Sequence, residues 1–308
     1  MKKSTFGVTG LSVSPLGWGA APIGFLATEQ KQVEIIVQTM LDAGINFIDT
    51  AASYQGSEEA VGKALGSRRG ECVLVSKCGQ QFPDLEGPAW SSQAIAAAID
   101  RSLRRLRTDR IDVVLLHSCG MEALQRGEAV GALMRARDAG KIRFAGYSGD
   151  NQEAAFAARL PGISVIETSV SICDQANLAA VLPIARERGL GVIAKRPIAN
   201  AAWRPAQEFH GIYRDYAKPY CERFAAMNLA ARDLGFASEG DWPEIALRFT
   251  LSQPGVHVAI VGTTQPANAR RNLEAAARGP LPNNALEILQ SAFARAEAAS
   301  RQKWPGLT

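Results

Sequence analysis

Histidine and cysteine are scarce in this chain. Three histidines in 308 residues, and five cysteines (72, 78, 119, 173, 221) without a C-x-x-C pair, leave no cluster with zinc-like ligand spacing. No metal is expected. The odd cysteine count suits free thiols in a reducing compartment. The basic start, MKKSTFGVTGLSVSPLG, has no apolar run behind it, because Gly, Thr, Ser and Pro interrupt it. It therefore reads as neither a signal peptide nor a membrane anchor, and a cytoplasmic protein is expected. Charge of one sign is lacking too: 34 Lys and Arg against 30 Asp and Glu leave a net +4. The densest basic run, 101–110, is broken by Leu103 and Leu106 at helical spacing, which marks a solvated helix face rather than a nucleic-acid surface. Common catalytic signatures are missing as well. There is no P-loop, no G-x-S-x-G, no metalloprotease helix, and no tyrosine followed four residues on by lysine. GWGAAP at 17–22 begins like a dinucleotide fingerprint, but Pro22 stands at the third glycine position, so a turn is expected there.

What is present is a core-forming composition, 47% apolar and 21% charged. Short β-type runs alternate with amphipathic stretches. A helix is expected over 30–43, with Val33, Ile36, Val37, Met40 and Leu41 on one stripe and Gly44 closing it. Ser57 is expected to cap a helix to Leu65, and Asp241 with Glu244 to form a capping box. Further helices are expected over 92–106, 128–139, 151–159, 175–188 and 266–277. Strands are read near 14–20, 46–50, 72–77, 111–117, 142–149, 163–171, 191–197 and 256–264. Several are continuously apolar, as parallel strands covered on both faces must be. Eight such units close a (β/α)8 barrel, which is favoured over an open doubly wound sheet, as a single domain over 1–308. The stretch 198–240, rich in aromatics, falls outside the alternation, as does a tail from 283 that reads as a final helix.

Barrel sites form at the C-terminal ends of the strands. There Asp49 ends NFID, Lys77 ends CVLVSK and His117 ends DVVLLH, with Tyr54 in the loop just after Asp49. Together they make a proton-donating set. A phenol with a reference pKa near ~10 is a poor acid until its anion is stabilised. An ammonium does that, a carboxylate anchors the ammonium, and an imidazole N–H orients the substrate oxygen.

These residues carry a resemblance. NFIDTAASYQGSEEAVGKAL resembles the aldo-keto reductase signature, SKCG the family's lysine strand and DVVLLH its histidine strand. KIRFAGYSG and IVGTTQPANARRNLEAA are similar to its nicotinamide and adenosine-phosphate segments, in the same order. The resemblance implies a barrel without a Rossmann domain, and hydride transfer with a nicotinamide cofactor, NADP(H) rather than NAD(H). It assigns Tyr54 as acid, Lys77 as its tuner, Asp49 as anchor and His117 as carbonyl orienter. Cofactor contacts fall on Ser148, on Gly262, Thr263 and Thr264, on Asn272, and on Asn268 and Arg271 facing the 2′-phosphate. Three positions depart from the family: Gly149 stands for an asparagine, Glu167 for a glutamine, and Lys195, followed by Arg196 and Pro197, for an aromatic that stacks on the nicotinamide. Since a lone buried charge is costly, an ion pair of Glu167 with Lys195 or Arg196 is expected. Trp18, Phe25, Phe82, Trp90, Cys119 and Trp203 are candidates for an apolar substrate rim. The function this implies is reduction of aldehydes or ketones, or the reverse on alcohols and sugars. The alternative is a cofactor-binding regulatory subunit with vestigial catalysis. A small-molecule substrate is the expected partner, with neither nucleic acid nor membrane.

Overall fold

The structure is a computed structural model that describes every residue except Ala27, His210 and Thr308, and only the backbone of Ala206 and Ile212. Eight parallel strands close into a barrel. They are β1 (Leu16–Gly19), β2 (Phe47–Asp49), β3 (Val73–Cys78), β4 (Ile111–His117), β5 (Ile142–Ser148), β6 (Ile163–Ser169), β7 (Gly191–Lys195) and β8 (Val258–Gly262). Each pairs with its sequence neighbour, and β8 closes on both β7 and β1. The expected barrel is therefore the observed one.

Strand periodicity sorts the side chains. Phe47, Val73, Val75, Val113, Leu115, Val165, Ile193, Val258 and Ile260 fill the inside, where Phe6, Leu11 and Val13 plug the N-terminal end. Alternate residues such as Leu74, Val114, Leu116 and Ile166 face the helices. Inside, Gly146 makes room: a Cβ there would stand 2.4 Å from Leu115 Cδ2 and 2.5 Å from the Val165 carbonyl oxygen.

The helices that matter for the site are α1 (Gln30–Asp42), α2 (Ser57–Leu65), α3 (Ser92–Leu106), α4 (Glu128–Asp138), α5 (Ile212–Met227), α6 (Trp242–Leu251), α7 (Pro266–Ala277) and α8 (Asn283–Ser300). Helix α3 is capped by Ser91, which accepts from the Ala94 N–H at 3.2 Å. Three local expectations are corrected. Ser57 is not a cap: Gly56 holds that place at φ 70°, and the Ser57 hydroxyl donates inward to the Ala20 carbonyl at 3.0 Å. The capping box is formed by Ser238 with Asp241, while Glu244 pairs with Arg248 and Arg278. The single helix expected over 175–188 is two, Ala176–Ala180 and Leu182–Glu187, because Pro183 suits the first turn of a new helix and not the interior of an old one.

The 198–240 stretch contains α5, which packs with α6 and α8 in a second apolar cluster around Tyr220, Trp242, Leu289 and Phe293. Beyond α8 the chain folds back over this cluster. Leu307 donates to Asp174 at 3.0 Å, and its carbonyl accepts from Ser169 and Arg196. Among the described residues no helix is long and apolar enough to cross a membrane.

Candidate active site

The inside–outside alternation places the site. Asp49, Lys77, His117, Ser148, Glu167 and Lys195 each lie two residues beyond an inward-facing residue: Phe47, Val75, Leu115, Gly146, Val165 and Ile193. All six therefore turn inward at the C-terminal mouth. The strand ends at the mouth are polar where the layers below are apolar.

Lys77 is at the centre, its side chain fully buried. Its ammonium donates to Asp49 Oδ1 at 2.5 Å and to the Thr50 carbonyl at 3.1 Å, and Glu167 Oε2 stands 3.4 Å away. Burial alone would lower the Lys77 pKa, but Asp49, then Glu167 and Tyr54, hold it above the ordinary lysine value. Burial, reinforced by the neighbouring Glu167 carboxylate, pushes Asp49 well above the usual carboxylate range against the pull of Lys77.

Tyr54 is half-buried over this group, its ring centroid 5.3 Å from Lys77 Nζ. Its loop is pinned by Ala52 N–H donating to the Lys77 carbonyl at 3.2 Å. The Thr50 and Ser57 hydroxyls bond to each other at 2.9 Å. Gly24 lets the preceding short helix lie against that loop, since a Cβ there would meet the Gln55 carbonyl at 2.7 Å. Burial pushes the Tyr54 phenol up to about 12, with Lys77 opposing it and Asp49 and Glu167 adding to it. His117 meets Tyr54 edge-on at 5.7 Å, and its Nδ1 lies 3.3 Å from the Ser53 hydroxyl. Burial, then Lys77 and Lys195, hold its pKa well below the ordinary histidine value, so the imidazole is neutral.

The expected pairing of Glu167 with Lys195 or Arg196 does not form. In register, Glu167 lies beside Ile193, whereas Lys195 lies beside Ser169, one inward layer further on. Glu167 instead accepts from the Ser148 hydroxyl at 3.2 Å and turns its other oxygen to Lys77. Lys195 pairs with Asp150 at 2.9 Å, a residue the sequence reading overlooked. Asp150 also accepts from Thr168, the Ser169 N–H and Asn177. Although burial works against it, Lys195 and these donors hold Asp150 below the usual carboxylate range. Arg196, in the left-handed region at φ 57°, turns away to the Tyr220 hydroxyl at 3.3 Å and the Leu307 carbonyl at 2.5 Å. Pro197 is buried, its carbonyl accepting from Thr250 at 3.2 Å.

The rim residues divide. Phe25 lies edge-on to Tyr54 at 5.6 Å and to Tyr213 at 6.2 Å, so it borders the mouth with a tyrosine the sequence reading left out. Trp90 covers Gly79, just past the end of β3. The other four are corrected. Trp18 is fully buried on the outer face of β1, where the alternation points it, and its indole N–H donates to the Thr263 carbonyl at 3.2 Å. Cys119 is fully buried among the helices. Phe82 lies under the Arg101 guanidinium on α3, 4.1 Å from its carbon. Trp203 stacks on Trp242 in the second cluster.

After β8, Gly262, Thr263 and Thr264 lead into α7. Thr263 is buried and closes the turn by accepting the Gln265 N–H at 3.0 Å, and the Thr264 carbonyl is held by Gln32 at 2.6 Å. The opening turn of a long helix presents N–H groups to an anion. Asn268 and Arg271 on it are exposed and Asn272 is half-buried, and Arg271 makes no ion pair among the described residues. This donor set, at the C-terminal end of β8, fits the phosphate end of a dinucleotide. No group of His, Cys, Asp or Glu that could hold a metal ion occurs among the described residues.

Known proteins resemble this chain over nearly its whole length. A family model described as "Aldo/keto reductase family" matches residues 15–293. An uncharacterized oxidoreductase of Bacillus subtilis, YqkF, is 29% identical, with 94% of this chain and 96% of that protein covered. The holo form of aldo-keto reductase AKR11C1 from Bacillus halodurans superposes with a TM-score of 0.80 at 27% identity, covering 95% of this chain and 96% of that one. An aldo-keto reductase from Klebsiella pneumoniae in complex with NADPH superposes with a TM-score of 0.71 at 27% identity, covering 95% of each chain.

Proposed function

The chain belongs to the aldo/keto reductase family, and from that premise we propose that it is an NADPH-dependent reductase of aldehydes or ketones, with Tyr54 as the general acid. The observation that carries this reading is the buried Lys77–Asp49 pair, 2.5 Å apart, set directly beneath the Tyr54 ring. The NADPH-bound Klebsiella relative and the exposed Arg271 beside the Thr263–Thr264 turn support NADP(H) over NAD(H). The four catalytic residues and the cofactor contacts carry over as proposals on this ground.

When bound, the nicotinamide supplies the hydride. The remaining work falls to the chain. A carbonyl oxygen lodged between Tyr54 and His117 takes its proton from the Tyr54 hydroxyl as the carbon is reduced. Lys77 stabilises the tyrosinate left behind, and Asp49 keeps the ammonium charged and in place. The Nε2–H tautomer of the neutral His117, which lets Nδ1 accept from Ser53, is the one that orients the carbonyl oxygen. Phe25, Tyr213 and Trp90 keep water from the mouth and supply an apolar wall. The reverse reaction, on alcohols or sugars, uses the same groups with the proton flow inverted.

The test is NADPH oxidation with a panel of aldehydes and ketones, beside Tyr54→Phe. Turnover of at least one carbonyl is expected, falling by about 100-fold or more in the variant, the range for losing a positioned general acid. Tight NADPH binding without turnover above the variant, for any carbonyl, would favour a binding role instead.

A further inference from the structure

Lys77 has three N–H groups to give. One goes to Asp49 at 2.5 Å and one to the Thr50 carbonyl at 3.1 Å, and the third faces Glu167 Oε2 at 3.4 Å. Glu167 thus draws the ammonium by charge on the side away from Tyr54: the ammonium meets the face of that ring, at 5.3 Å, and no hydrogen bond joins Lys77 to the phenol oxygen among the described residues. Glu167 is held in this position from the other side by the Ser148 hydroxyl, its register neighbour on β5.

We propose that Glu167 is a positioning residue for proton transfer: it competes with Tyr54 for the Lys77 ammonium, and so sets how strong an acid the tyrosine is. The proposal deepens the reading of Tyr54 as general acid and rests on it.

The surroundings of Tyr54 support this. The groups whose charge or ring acts on it are Asp49 at the end of β2, Lys77 from β3, the neutral His117 from β4, Glu167 from β6, Tyr213 from α5 and, from further off, Arg196 after β7. Lys77 and Arg196 favour the tyrosinate, and Asp49 and Glu167 oppose it. A second observation joins the two carboxyls. Asp49 Oδ2 and Glu167 Oε2 are both buried without a hydrogen-bond partner among the described residues, so both carboxyls rely on the Lys77 ammonium for compensation. An uncharged residue at 167 removes one of the two negative charges beside Lys77 and leaves more of the ammonium's field to stabilise the tyrosinate.

The experiment is a spectroscopic titration of tyrosinate in the full-length protein, wild type against Glu167→Gln. Each is paired with its Tyr54→Phe counterpart so that Tyr54 is read apart from the other four of the five tyrosines. The Tyr54 midpoint is expected to fall by about one pH unit in Glu167→Gln, a tenfold rise in tyrosinate at a given pH. The alkaline fall of kcat/KM for carbonyl reduction is expected to move with it. Glu167→Asp, which keeps the charge, is expected to titrate closer to wild type. An unmoved Tyr54 midpoint in Glu167→Gln would overturn the proposal, as would an effect confined to NADPH affinity or Tm. The optical titration needs no turnover. Failure of the reductase reading would appear separately, as carbonyl reduction that survives Tyr54→Phe.

Discussion

Replacing Lys77 by methionine removes the cation at the centre of the site and keeps most of its volume. Both carboxylates it leaves behind have side chains only 3% exposed. Breaking a buried pair by removing one partner costs about 3–5 kcal/mol, because the remaining charge is uncompensated. The cost must depend on pH. Asp49 is already held above the usual carboxylate range by burial, and losing Lys77 removes the strongest force pulling it down. A carboxyl whose folded pKa is raised binds more protons folded than unfolded. Its relative stability is therefore greatest below the unfolded value of about 3.9 and is lost as pH rises through the folded pKa, by about 1.4 kcal/mol for each pH unit that separates the two values. Urea unfolding of wild type and Lys77→Met at pH 5 and pH 8 reads this directly. The deficit of the variant is expected to be larger at pH 8, in the 3–5 kcal/mol range of about the full broken pair, and smaller at pH 5. An equal deficit at both values, or one below about 1 kcal/mol as for an exposed pair, would refute the reasoning.

Two further outcomes follow from the site. Arg271→Ala is expected to weaken NADPH binding about tenfold, the lower end for a hydrogen bond to a charged group, and to leave NADH binding unchanged; calorimetric titration with both cofactors checks it, and equal losses would remove Arg271 from the 2′-phosphate. His117 has a lowered folded pKa, so it stays neutral through the ordinary histidine range. The kcat/KM for reduction should therefore show no inflection near about 6.5 that His117→Gln abolishes, and such an inflection would place an imidazolium in the site.

The barrel was legible because eight alternations of apolar strand and amphipathic helix leave few other ways to bury both faces of a parallel sheet. The polar strand ends were legible too. Asp49, Lys77 and His117 follow apolar runs whose alternation points them inward. The same alternation, applied strictly, would have turned Trp18 outward and shown that Lys195 lies one inward layer beyond Glu167. What no local pattern carries is which charge meets which across the mouth. Glu167 reaches Lys77, three strands away, because both point at the barrel axis, and strand adjacency is a poor guide to contacts there. Asp150 escaped because it lies past the end of β5, where its role as an acceptor depends on Ser169 and Asn177 from the following segments. The course of the chain after α8 is likewise set by long-range bonds to Asn151, Asp174 and Arg196. The rim failed at Phe82 and Trp203 because loop aromatics take the nearest cation or apolar cluster, and these found Arg101 and Trp242.

In the proposed reaction Tyr54 gives its proton to a carbonyl as hydride leaves NADPH. Single-turnover mixing of the NADPH-loaded protein with a reactive aldehyde, wild type against Tyr54→Phe, tests it most directly. The variant is expected to bind NADPH as tightly as wild type, with its hydride-transfer step slowed by about 100-fold to 10,000-fold. An undiminished step in the variant would contradict it.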